Sequence, residues 1–266
     1  MKFAGIALLR GAIFDLGETL IHLTASWEQV REGRMKAIHE ALQEHGLTLD
    51  FKDLKHEYMK LHDEESEYAN RTLEEIEIAG SIAKLLDRLG VKERQRPVMT
   101  DLVKKFFVFE VDSWSLFPGV QEMLQQVRDL GLKMGLCSNS RSDWAVREIA
   151  EQLGLTKYFD SIVTSAAVGV RKPRPEPFQQ ILRLLGLQPN EAVMIGNSTE
   201  ADIAGAKPLG IKTIHVTYGD DAEEGSVDPD ATVSAIGGIV PAIKRIAASC
   251  QSRRTLFAQL KHFDKC

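Results

Sequence analysis

Residues 11–20 read GAIFDLGETL, and this stretch decides how the rest of the chain is parsed. Its apolar run, Gly11 to Phe14, stops at Asp15 and is followed two residues later by Gly17. A buried strand ending at a functional loop reads this way. Beyond it the period turns helical. Ser26 and Gln29 form a capping box, Val30, Ile38 and Leu42 share a face, and Gly46 closes the first predicted helix. Phe51, Leu54, Tyr58 and Leu61 mark a second helix. Thr72 and Glu75 make another capping box for a third through Leu89, and Val98 to Phe107 give a fourth. Between about 24 and 112 no strand is predicted, so the reading is a helical unit inserted after the first strand.

From Pro118 strands and helices alternate. Helices are predicted at 118–130, 142–153, 175–185 and 199–209, and strands at 132–137, 160–164, 192–195 and 211–216. Repeated βα units with short connections predict a doubly wound, Rossmann-like parallel sheet covered by helices on both faces. The predicted organisation is a core from 1–21 and 113–266, with an all-helical domain at 22–112. The six acids at Asp220, Asp221, Glu223, Glu224, Asp228 and Asp230 read as a solvated loop, and 239–265 as a helix packed on the core.

Composition narrows the function. The chain has 266 residues, 44% hydrophobic and 27% charged, with a net charge of −5, which suits a folded soluble protein without global attraction to nucleic acid or anionic lipid. Cys137, Cys250 and Cys266 lie too far apart for a disulfide framework or a zinc motif, and they fit a reducing cytoplasm. Arg10 interrupts the apolar run before the first strand, and no cleavage site follows, so residues 1–9 read as a lead-in rather than a signal peptide. No segment is apolar for long enough to span a bilayer.

Ligands of open α/β sheets bind at the carboxyl ends of the strands. The first strand delivers Asp15 there, then Leu16, Gly17, Glu18, Thr19 and Leu20; the next delivers Ser138 and Asn139. Arg171 and Lys172 follow the third, fixed by Pro173 and Pro175, and Gly196, Asn197 and Asp202 follow the fourth. Singly, each has an ordinary explanation as a cap, turn or surface residue. Together they supply a carboxylate nucleophile, a cation for an oxyanion and oxygen ligands for a metal, which is an inventory for phosphoryl transfer.

Four segments, FDLGETL (14–20), LCSNS (136–140), GVRKPRPEPF (169–178) and IGNSTEADIAGAKPLG (195–210), agree in order and spacing with the motifs of the haloacid dehalogenase-like hydrolases, and the chain resembles that family over nearly all of 11–236. The resemblance implies that the helical insert is a cap, that Asp15 is the nucleophile of a phospho-aspartyl intermediate, and that Ser138 and Lys172 hold the phosphoryl group. Gly17, Glu18 and Asn139 complete the expected phosphate-binding set. Asp15, Gly17, Asn197 and Asp202 become the expected Mg²⁺ site, and the implied partner is a small phosphorylated metabolite. Oligomeric state is not readable.

Two positions depart from the pattern. Family phosphatases usually carry an aspartate general acid where Gly17 stands, and Gly-Asp where this chain has Gly196-Asn197. The expectation is therefore weak Mg²⁺ binding and a preference for leaving groups that depart unprotonated. Alternatives are metal-independent 2-haloacid dehalogenation, a phosphonate-cleaving activity using Lys36 from the cap, or a degenerate member that binds a phosphorylated ligand or a partner. Glu18 and His22 are the nearest substitute acids, though Glu18 would point away from Asp15 if the chain were extended. Trp27, Tyr58, Tyr68, Glu64 and Glu65 are candidates to line the cap.

Overall fold

The computed structural model describes residues 9–93, 97–218 and 227–249. Strands β1 (Gly11–Phe14), β4 (Lys133–Ser138), β5 (Ser161–Thr164), β6 (Ala192–Gly196), β7 (Lys212–Val216) and β8 (Ala231–Val233) form one sheet in the order β5-β4-β1-β6-β7-β8, every pairing parallel. The central strands are buried on both faces and are correspondingly continuous apolar runs. Alternation then sorts their side chains. Ala12, Phe14, Met134, Leu136, Val193 and Ile195 join one hydrophobic cluster, while Ile13, Cys137, Ala192 and Met194 join the other. Helices α5 (Val120–Asp129) and α6 (Asp143–Gln152) and the helical residues 239–249 contribute to the first cluster. Helix α7 (Pro175–Leu185) covers the second through Phe178, Ile181, Leu182 and Leu185. The doubly wound reading is thus correct.

The helices between β1 and β4 begin with α1 (Trp27–Glu44), whose Ser26–Gln29 capping box forms as predicted. Helices α2 (Phe51–Thr72), α3 (Ile78–Arg88) and α4 (Met99–Val111) follow. Sequence periodicity missed the seam that closes this unit. Strands β2 (Ile21–Leu23) and β3 (Trp114–Leu116) pair antiparallel, Ile21 with Leu116 and Leu23 with Trp114. Three-residue strands are too short for alternation to show.

Three other expectations are corrected. Thr72 ends α2 instead of capping α3; its hydroxyl donates to the Tyr68 carbonyl, and Leu73 turns left-handed at φ 58°. The freed segment crosses to the core, where the Glu75 amide donates to the Gly169 carbonyl (2.9 Å) and the Glu75 carboxylate accepts from the Ser165 hydroxyl (2.5 Å). The predicted helix at 199–209 is a π-helical stretch over Thr199–Ala204, followed by a 3₁₀ turn at Lys207–Leu209. Asp230 is no loose loop acid, since it accepts from the Thr213 amide (3.0 Å) and from Lys212 (2.9 Å), anchoring the approach to β8. Asp220, Asp221, Glu223, Glu224 and residues 250–266, with Cys250 and Cys266, lie outside the described residues.

Candidate active site

Strand order makes the site. The chain leaves β1 for β4 and β5 on one side, then crosses to β6, β7 and β8 on the other, so a crevice opens beyond the carboxyl ends of β1, β4 and β6. Asp15 stands at the end of β1, its amide donating to the Ile195 carbonyl of β6 at 2.9 Å. Ser138 ends β4 and Asn139 follows it. Lys172 enters from the segment after β5, and Asp202 from the π-helical stretch beyond β6. A π-bulge of this kind is frequent at functional sites.

These residues converge on one ammonium. Lys172 Nζ donates to Asp15 Oδ1 (2.8 Å), to Asp202 Oδ1 (2.6 Å) and to the Cys137 carbonyl (2.7 Å). Its side chain is 1% exposed, so the three contacts must replace water entirely. Burial works against the charge of Lys172, but Asp15 and Asp202 overcome it and raise its pKa well above the ordinary lysine value. One cation shared by two acids leaves Asp202 undercompensated: burial, with Lys172 opposing and Asp15 adding, lifts its carboxyl to about 6. Burial pushes the Cys137 thiol up to about 12, so it remains protonated at neutral pH.

Neighbouring groups fix the trio. Asn139 Nδ2 donates to the Lys172 carbonyl (2.9 Å), and the Lys172 amide donates to Asn139 Oδ1 (2.8 Å), which engages both ends of the carboxamide. Thr19, fully buried, places its hydroxyl 3.3 Å from both Asp15 Oδ2 and Asn197 Oδ1 and accepts from the Asn197 amide at 3.1 Å. His215 Nε2 lies 2.9 Å from the Asn197 carbonyl, and the Tyr218 hydroxyl donates to the Thr19 carbonyl. Asp202 Oδ2 accepts from the Ser198 amide at 3.1 Å. A Cβ on Gly196 would lie 2.1 Å from that carboxylate, so only glycine admits Asp202 here.

A cavity of about 470 Å³ opens over this edge. Asp15, Gly17, Glu18, Ser138, Asn139, Lys172, Asn197 and Asp202 all line it. Every predicted site residue is thus brought to one place. Glu18 is not extended, as assumed from sequence, but left-handed at φ 54°, its amide donating to the Ile21 carbonyl at 2.7 Å. Gly17 has an ordinary backbone conformation, and a Cβ there would meet only Trp114 Cη2, at a comfortable 3.6 Å.

Of the helical-unit candidates, Trp27 lines the cavity. Tyr58 is buried beside Phe106, Tyr68 bonds to Glu74, and Glu64 pairs with Arg88, none of them at the cavity. Glu65 is buried and accepts from Ser81 and from Arg141, a lining residue that follows β4. His22 packs on Phe117 at 4.9 Å, and Lys36 pairs with Glu32 on the outer surface; both are off the cavity. Missed entirely were Arg34, paired with Glu110 and stacked 4.9 Å from Phe106, and Trp114, both lining residues. Thr19 had a visible signal, a hydroxyl four residues past Asp15 in the same motif; Trp114 and Arg34 had none.

Among the described residues, no three His, Cys, Asp or Glu side chains cluster as a ready-made metal site, and no helix is long and apolar enough to cross a membrane. The profile of the haloacid dehalogenase-like hydrolases matches residues 9–210. A glyceraldehyde 3-phosphate phosphatase of Methanopyrus kandleri is 28% identical over 80% of this chain and 85% of its own. A phosphoglycolate phosphatase of Chromobacterium violaceum is 31% identical, covering 63% and 78% respectively. In fold, a 2-haloacid dehalogenase from Pseudomonas syringae pv. Tomato DC3000 superposes with a TM-score of 0.64 at 23% identity, covering 90% of this chain and 99% of that one. The profile match spans well over half of the sequence and all four segments that build the site, and the chain belongs to the haloacid dehalogenase-like hydrolases.

Proposed function

We propose that this hydrolase is a Mg²⁺-assisted phosphatase of a small phosphorylated metabolite, acting in a reducing cytoplasm through a phospho-aspartyl intermediate on Asp15. The observation that carries the reading is the Lys172 ammonium, held between Asp15 and Asp202 at 2.8 and 2.6 Å on the floor of the cavity. A lysine so placed holds the Asp15 carboxylate in position for attack and meets the phosphoryl oxygens as charge builds on them. Ser138 holds a second phosphoryl oxygen. Asn139 is a positioning residue that fixes the Lys172 backbone, and Thr19 orients the Asp15 carboxylate.

The donor set fits a hard cation at low charge. Asp15, Asp202, the Asn197 side chain and the Gly17 carbonyl offer oxygens, and Mg²⁺ is commonly held by one or two carboxylates plus water and substrate phosphate. When bound, the ion would neutralise phosphoryl oxygens. With only two ionised donors its affinity should be low. Helices α1 to α4 act as the cap, excluding water from the reaction and choosing the substrate. With no carboxyl group at position 17, leaving groups that depart without a proton are favoured.

The test is phosphate release from a panel of phosphorylated metabolites, with and without Mg²⁺, by wild type and Asp15→Asn. Release that requires Asp15 supports the reading. Undiminished turnover by Asp15→Asn would refute it, and chloride release from a 2-chloro acid in excess chelator would replace it with metal-independent dehalogenation.

A further inference from the structure

The wall of the cavity that faces Gly17 is aromatic. Trp114 brings the benzo edge of its indole to where a side chain at position 17 would begin, while its Nε1 is buried away from solvent. Trp27 meets it edge to face, ring centroids 6.2 Å apart, and is itself 49% exposed at the cavity. An indole that is half exposed at a cavity leaves a flat apolar face for a ligand.

The positive groups of the cavity, by contrast, are already used. Arg34 pairs with Glu110, Arg141 with Glu65, and Arg171 lies 3.3 Å from Glu75. Lys172 is held by Asp15 and Asp202, and His62 faces Asp63 at 3.4 Å. Each described lining cation therefore has an acidic neighbour. A second anionic group on the substrate, such as the carboxylate of phosphoglycolate, would have to compete with these acids for cations they already neutralise.

We propose that the substrate is a small aryl phosphate whose ring seats against Trp114 and Trp27 while its phosphoryl group lies on Asp15 and Lys172. The proposal rests on the phosphatase reading and names its substrate class. An Asp15 carboxylate oxygen bonds to phosphorus as the bond from phosphorus to the aryl oxygen breaks. The aryloxide leaves with that electron pair, stabilised by its ring, and takes a proton from water afterwards. Water then attacks the phospho-aspartate, releasing inorganic phosphate and restoring Asp15. Ring stacking and departure without an acid are thus demands met by one chemical class.

Initial rates on phenyl phosphate, acetyl phosphate, glycerol 3-phosphate and 2-phosphoglycolate test this, using wild type, Trp114→Leu, Trp114→Phe and Trp27→Leu. Wild type should turn over phenyl phosphate with kcat/KM at least about tenfold above 2-phosphoglycolate and glycerol 3-phosphate. The ratio of kcat/KM for phenyl over acetyl phosphate should fall about tenfold in Trp114→Leu, through KM, and recover in Trp114→Phe. If Trp114→Leu fails to fold, Trp27→Leu at the exposed position should lower the same ratio by a smaller factor. A preference for 2-phosphoglycolate, or a phenyl-to-acetyl ratio indifferent to both tryptophans, overturns the proposal. Asp15-dependent hydrolysis of acetyl phosphate without aryl preference sinks the proposal alone, whereas no phosphate release from any substrate sinks the phosphatase reading with it.

Discussion

The sheet edge and the inner face of the helical unit enclose the same cavity and are built on opposite principles. At the edge, Asp15, Lys172, Asp202, Thr19 and Asn197 are buried or nearly so and bonded to one another, so every polar atom's position depends on its neighbours. Across the cavity, Trp27 and Trp114 are held by ring packing, and the charged residues are paired off. The first arrangement fixes a reaction; the second leaves room to vary what reacts. Damage to the edge should lower turnover for every substrate alike, and changes opposite should reorder substrates.

Asp15→Asn breaks the edge most severely. Replacing the carboxylate proposed to attack is predicted to cost about 10⁴-fold or more in kcat on all phosphate esters, with a melting temperature near wild type because the amide still accepts from Lys172. A selective loss on some esters would collapse the distinction between the two regions.

Gly17→Asp should sharpen it. The position has an ordinary φ and a Cβ there meets only the Trp114 edge at 3.6 Å, so a side chain can begin there without backbone strain. A general acid there is predicted to raise kcat/KM for alkyl phosphates about 10²-fold and aryl phosphates little. Equal gains on both would show that another group already supplies the proton. Glu18, which shares the cavity, would then be the first residue to replace.

The sheet edge was legible in the sequence because its chemistry sits where strands end. Asp15 and Ser138 close apolar runs, Lys172 and Asp202 lie in the segments that follow the next two such runs, and a parallel sheet must carry those ends to one side. Less was legible opposite. Trp114 reaches Gly17 only because β3 pairs with β2, and neither strand is long enough to show a period. Arg34 belongs to a helix whose polar residues look alike until α4 is packed against it and Glu110 takes its charge. Glu18 was misjudged for a local reason: a left-handed residue breaks the alternation of an extended chain.

A smaller effect is expected from pH. With its carboxyl raised to about 6, Asp202 takes up a proton as the medium becomes more acidic than that. The charge lost weakens both the grip on Lys172 and the donor set proposed for Mg²⁺, so kcat/KM should fall toward about tenfold per pH unit below 6 for every substrate. Asp202→Asn should remove this acid limb along with most of the activity. A limb that differs between phenyl and acetyl phosphate would place the titrating group on the aromatic side instead.

Asn197→Asp should do least. It adds one charge to a site with two acids already, and is predicted to lower the Mg²⁺ concentration for half-maximal rate several-fold, about 1 kcal/mol of cation binding. Its Thr19 and His215 contacts run partly through the backbone, which the substitution keeps. An unmoved Mg²⁺ titration would mean that the cation binds elsewhere.

The short ribbon of β2 and β3 has a mechanical consequence. Both chain crossings into the helical unit pass through this one antiparallel pair, like two leaves of a door on a single pin. Any swing of the helices that frees Arg141 from Glu65 must pivot there. Trp114 is part of the pin and would stay beside Gly17, whereas Trp27, at the start of α1, would travel with the door. Opening would then separate the two indoles, and the pair would report the posture of the unit by its own fluorescence, with no label attached.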